Sequence, residues 1–185
     1  MGSSTYYYLN NRDELGGEGE LSEREGPSYQ ITVFKKSPVP EWLKKGIMYQ
    51  IYVDRFFNGN PKQEILNPKK GSLLHGDWYD TPFYLKDEKG RVLRWTFFGG
   101  NLLGVIEKLP YLEELGISII YFNPIFEAAS NHKYDTGNYL KIDPMYGDNE
   151  TFARLVQEAE KYGIAIILDG VFSHTGSDSI YFNKY

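Results

Sequence analysis

The 185-residue chain is 41% hydrophobic, carries a net charge of -5 and has a pI near 5.3. Phosphate recognition rests on clustered Lys and Arg, so this balance argues against nucleic acid or an anionic membrane as a partner. The absence of cysteine excludes a disulfide framework, a thiolate metal site and a thiol nucleophile, and no apolar stretch approaches the roughly 18 residues of a spanning helix.

From Tyr6 to Phe34, two β-rich runs flank a polar, Gly-rich stretch without helical spacing, which predicts two strands and a loop. Two strands alone are marginal in water, so residues 1–36 read as the end of a β-sheet domain. Residues 37–46 follow as a linker, where Pro38 and Pro40 remove backbone donors and favour extended chain. Beyond it, "GIMYQIYVDRF" predicts a buried strand at Ile47 to Val53, with Asp54 and Arg55 at its exit.

The polar segment Asn58 to Trp95 is too long for a plain connection, which marks it as functional or partly mobile. In "GNLLGVIEKLPYLEELG" the positions Leu102, Leu103, Ile106, Leu109, Leu112 and Leu115 form a helical stripe bent by Pro110 and stopped by Gly116. "ISIIYFNPIF" is a second buried strand. "GDNETFARLVQEAEKYG" predicts a helix capped by Asp148 or Asn149, with Phe152, Leu155, Val156 and Ala159 facing inward, and "IAIILDGVF" is a third strand. Near-continuous apolar strands alternating with helices imply parallel βαβ units, hence an α/β class for residues 47–185.

In such sheets ligands sit beyond the carboxyl ends of the strands, and polar residues accumulate there. They include Asp54 and Arg55, then Asn123 with "SNHKYDTGNY", then Asp169 with "SHTG". Each has a plainer reading. Asp169 suits an orienting carboxylate, His132 and His174 suit loop histidines, Tyr134 and Tyr139 suit core caps, and Asp143 with Pro144 suits a turn. Asn58, Asn60, Gln63, Glu64, Gly100 and Asn101 bring oxygen donors of the kind a hard cation uses. With one carboxylate among them, composition favours a turn.

Together, "GIMYQIYVDRFFNGN", "FFGGNLLGVIEKLPYLEELGISIIYFNPIF", "SNHKYDTGNYLKIDPMYGDNETFARLVQEAEKYGIAIILD" and "DGVFSHTG" resemble the alpha-amylase family, glycoside hydrolase family 13. The likeness runs from Trp42 to Tyr185 and is strongest to the branch of amylopullulanases, neopullulanases and cyclomaltodextrinases. It implies a (β/α)₈ TIM barrel. Because a full barrel takes roughly 250 residues, the chain is expected to hold only its first three strands, preceded by the last strands of a β-sandwich domain.

The resemblance further implies that Tyr134 stacks on the sugar at the cleavage subsite, with Asp135 as its polar neighbour. It implies that His174 hydrogen-bonds a hydroxyl of the same sugar and that Asp169 orients an Arg near the nucleophile. The nucleophile, acid/base and stabilising Asp of a retaining mechanism would lie beyond Tyr185, so no catalytic carboxylate is assigned here. The expected substrate is an alpha-glucan such as starch, pullulan or a maltodextrin; the alternative is a non-catalytic carbohydrate-binding or association module. Ser173 replaces an Asn that binds a central Ca²⁺ in many members. Asn58, Asn60, Gln63, Gly99 and Asn101 resemble a second Ca²⁺ site in which Asp is common at positions 60 and 101, which implies weaker binding here. An incomplete barrel would also expose a sheet edge and favour self-association.

Overall fold

In the computed structural model, residues 4–182 are described apart from Arg12 and Glu14. Two compact units are present, one ending at Pro38 and the other beginning at Val39.

In the first unit, β1 (Tyr7–Leu9) pairs antiparallel with β2 (Glu20–Ser22) in the register Tyr8 to Leu21. The second strand therefore lies inside the stretch expected to be loop. The β-branched run toward Phe34 does not form a strand, and Ile31 and Val33 are 83% and 92% exposed. A β-rich run becomes a strand only where a neighbouring edge takes up its backbone groups. Here the edge of β1 is taken by residues 20–22. Tyr29 from the displaced run stacks on Tyr8 at 6.0 Å and donates from its hydroxyl to the Gly17 carbonyl at 3.0 Å.

The second unit opens with a single helical turn, α1 (Glu41–Lys45), and then β3 (Met48–Ile51). A 3₁₀ turn at Val53–Arg55 ends the strand sooner than its apolar run predicted. The long polar segment contains β4 (Leu73–Leu74), β5 (Leu85–Lys86), β6 (Val92–Arg94) and β7 (Thr96–Phe97). Strands β4 and β7 pair parallel, whereas β5 and β6 form a hairpin.

Helix α2 (Leu102–Glu114) buries Leu102, Val105, Leu109 and Leu112. Leu115, expected on this stripe, is exposed, because the chain leaves the helix there through Gly116 at φ 81°. Strand β8 (Ile119–Phe122) follows, then the antiparallel pair β9 (Phe126–Ala128) and β10 (Thr136–Ile142). Helix α3 (Asn149–Lys161) starts on an Asp148 side chain that accepts the Thr151 N–H at 2.7 Å, and β11 (Ala165–Leu168) closes the described elements.

Strands β3 and β11 flank β8 in one parallel sheet, with Gln50 and Ile167 both opposite Tyr121. Helix α2 packs against α3, and α3 against β11. The continuous apolar runs predicted three buried strands, but only β8 is largely buried; β3 and β11 are part-exposed because they stand at the two sides of the sheet. All three strands run in one direction, so their carboxyl ends, and the polar residues after them, share one edge.

Candidate active-site crevice

Three chain segments meet at that edge. Asp169 follows β11, with its backbone N–H bonded to the Phe122 carbonyl at 3.1 Å. Tyr134 lies in the loop joining β9 to β10, and its hydroxyl donates to Asp169 Oδ2 at 2.9 Å. Tyr121, projecting from β8, lies near Asp169, and burial and then this carboxylate push its phenol up. Burial and then the neighbouring carboxylate push the Tyr134 phenol up to about 12. Both phenols thus remain protonated at neutral pH, and Tyr134 holds Asp169 as its acceptor.

The Tyr134 loop is built around a buried lysine. Lys133 adopts φ 64°, a left-handed conformation uncommon for a side chain of this size, and is fully buried. Its ammonium contacts Asp143 Oδ2 at 2.8 Å and donates to the Ser130 carbonyl at 3.1 Å, while Lys69 reaches the same carboxylate oxygen at 2.5 Å. Asp143 also accepts the Ala128 and Met145 N–H groups, at 3.2 and 3.0 Å. Burial lowers Lys133 to about 8, with Asp143 opposing the shift.

With Lys133 anchored inward, its neighbours His132 and Tyr134 are only partly buried. His132 Nδ1 accepts the Tyr134 N–H at 3.1 Å, which places the proton of the neutral ring on Nε2. Its ring meets the edge of Trp95 at 4.9 Å, and burial pushes its pKa down.

The residues expected at the site divide. Tyr134 and Asp169 are in direct contact. The Asp135 carboxylate accepts the Ser130 N–H at 3.0 Å and contacts the Ser130 hydroxyl, so it braces the loop. His174 is exposed, with Nδ1 3.0 Å from Ser173 Oγ, and its segment is held through Tyr139, whose hydroxyl meets the Val171 and His174 carbonyls. Asp143 makes the turn read from sequence, its carboxylate accepting the Met145 N–H and its carbonyl the Tyr146 N–H, and it is also the counter-charge of two lysines. Lys133 and Tyr121 carried no signal beyond a loop cation and an apolar strand, and His132 was separable from other loop histidines only by its neighbours.

A second polar cluster fixes the start of α2. Buried Asp54 accepts the Phe98 and Gly99 N–H groups at 3.1 Å each and pairs with Arg55 at 2.9 Å. Burial raises its pKa against these bonds. Asn58, Asn60, Gln63, Gly99 and Asn101 lie together in the fold. Their side-chain amides, however, donate to one another's oxygens and to loop carbonyls. Among the described residues, no three His, Cys, Asp or Glu side chains are grouped to share a metal. As arranged, this set does not fit the six to eight oxygens that Ca²⁺ requires.

A carboxylate, phenols and an imidazole gathered beyond the carboxyl ends of parallel strands have the organisation of an α/β enzyme crevice. Residues 50–185 match the alpha amylase catalytic domain, and the chain belongs to the alpha-amylase family. An amylopullulanase of Thermoanaerobacter thermohydrosulfuricus is 44% identical, over 100% of this chain and 13% of that protein. Neopullulanase 2 of Thermoactinomyces vulgaris is 48% identical, over 88% of this chain and 26% of its own length. Among solved structures, the ligand-free cyclic alpha-maltosyl-(1→6)-maltose hydrolase of Arthrobacter globiformis superposes with a TM-score of 0.64 at 36% identity. That superposition covers 77% of this chain and 29% of the hydrolase. The chain thus spans less than a third of each of these relatives.

Proposed function

We propose that this chain forms the sugar-positioning side of the crevice of a retaining alpha-glucan hydrolase acting on starch, pullulan or maltodextrins. The observation that carries the reading is the Tyr134 to Asp169 hydrogen bond beside His132. It presents an aromatic ring, an acceptor and a nitrogen donor along one edge, which suits the apolar face and hydroxyls of a pyranose. The names of the relatives, amylopullulanase and neopullulanase, agree with this substrate class.

In this reading, β3, β8 and β11 are the first three strands of a (β/α)₈ barrel, and β1 and β2 belong to a preceding β-sandwich. His174 reaches a sugar hydroxyl from its exposed loop, and Asp169 is an orienting group. The carboxylates that attack and protonate the glycosidic bond are supplied by residues outside the 185. Incubating the purified chain with a chromogenic maltooligosaccharide should give no turnover; turnover abolished by His174→Ala would refute the division of labour. Titration with maltohexaose should show binding that Tyr134→Ala removes.

A second reading, a carbohydrate-binding module, draws on a separate hollow of about 380 Å³ walled by Tyr52, Trp78, Tyr84 and Phe98. If this hollow is the main site, Trp78→Ala, and not Tyr134→Ala, removes maltohexaose binding.

A further inference from the structure

We infer that the Asn101 amide closes the loop at residues 58–64 onto α2 in the manner of a cation, so that this chain folds independently of calcium. The orientation of that amide is fixed by two backbone donors. Gly104 N–H and Gly59 N–H both point at Asn101 Oδ1, at 2.9 and 3.2 Å. Only an oxygen satisfies both, and the first bond is the N-cap of α2. The NH₂ group must therefore face the loop, where it lies 2.8 Å from Asn58 Oδ1 and 3.5 Å from the Gly99 carbonyl.

Asn58 is fixed with equal strictness. Its Oδ1 accepts the Asn60 N–H at 2.9 Å, and its Nδ2 donates to the carbonyls of Gln63 and Glu64 at 3.2 and 3.4 Å. Asn60 Nδ2 donates to the Glu64 carbonyl at 3.0 Å, and Gln63 Nε2 to the Asn60 carbonyl at 3.2 Å. Each oxygen that would face a shared cation thus faces an N–H, and the amides in the ring are neutral. A divalent ion entering here would have to displace these donors and would gain no carboxylate from them. Asn101 is fully buried and Asn58 is 5% exposed, so the bond between them is shielded from competing water, while Gln63 and Glu64 at the outer side of the ring are exposed.

Replacing the amide nitrogen by oxygen reverses the logic. In Asn101→Asp, one carboxylate oxygen keeps the cap and the other lands against Asn58 Oδ1, acceptor against acceptor. A bridging cation relieves that contact, as does protonation of the new carboxyl at low pH.

The test is thermal unfolding of the full 185-residue chain, followed by circular dichroism in excess EGTA, in millimolar CaCl₂ and in MgCl₂ at matched ionic strength. The native chain should melt at the same midpoint in all three, within about 1 °C, whereas a cation that binds the fold raises the midpoint by several degrees through mass action. Asn101→Asp should melt lower in EGTA and recover with CaCl₂. Asn101→Ala, which loses both cap and bridge, should melt lower in every condition. A saturable rise of the native midpoint specific to Ca²⁺ overturns the inference, as does an Asn101→Asp chain that matches the native one in EGTA.

Discussion

The hydroxyl of Tyr134 and the carboxylate of Asp169, 35 positions apart in sequence, stand 2.9 Å apart in the fold. The bond ties the loop between β9 and β10 to the end of β11, so two separate segments define one wall of the crevice. Removing it by Tyr134→Phe should lower stability by about 1 kcal/mol, the modest value expected of a part-exposed hydrogen bond to a charged acceptor. Urea unfolding of the two chains measures the difference.

The same pair sets a pH dependence. Because the folded phenol titrates near 12 while an unfolded tyrosine titrates near 10, its contribution to stability is complete below about 10 and is lost as pH rises toward 12. Ultraviolet titration at the phenolate band should show Tyr134 among the late-ionising tyrosines, with Tyr52 and Tyr146, and Tyr134→Phe should remove one phenol from that late phase.

Asp143 should be the most sensitive carboxylate of the loop scaffold. It neutralises Lys133 and Lys69, of which Lys133 is fully buried. Asp143→Asn leaves that charge unpaired and should destabilise the fold by about 3–5 kcal/mol, read from the urea midpoint. Lys133 supplies its own signature. Its folded pKa of about 8 lies below the unfolded value, so the unfolded chain binds more protons between about 8 and 10.4, and stability should rise with pH across that window. Lys133→Met should flatten the rise.

Two glycines separate packing from backbone conformation. A Cβ on Gly104 would fall 1.9 Å from the Phe57 carbonyl, whereas at Gly116 nothing lies within 4 Å but φ is 81°. Gly104→Ala should lower the melting midpoint sharply, as overpacking against backbone costs about 3 kcal/mol or more. Gly116→Ala should cost only about 1 kcal/mol.

The flanks of the parallel sheet predict association that grows with concentration. Among the described residues, β3 and β11 each pair only with β8. An unpaired strand edge presents backbone donors and acceptors to a second chain. Light scattering should show mass rising with concentration, and Ile167→Lys on β11 should suppress it. A monomer at all concentrations would show that these edges are protected.

Much of the second unit could be read in the sequence because its signals are local. Apolar runs and 3.6-residue stripes placed β3, β8, β11, α2 and α3, and Asp148 and Gly116 marked real helix ends. The strand expected near Phe34 failed because a β-prone run needs a partner edge, and no local signal says which run will have one. At the site, sequence singled out Tyr134, Asp169 and the amides around Asn101 by residue type and position after the strands. Only the tertiary structure decided their roles. It joined Tyr134 to Asp169, turned Asp135 toward Ser130, and paired Lys133 with Asp143 across a strand. It also pointed the nitrogen of Asn101 to where a cation's ligand would need oxygen, because hydrogen-bond direction depends on which groups the folded chain brings within 3 Å.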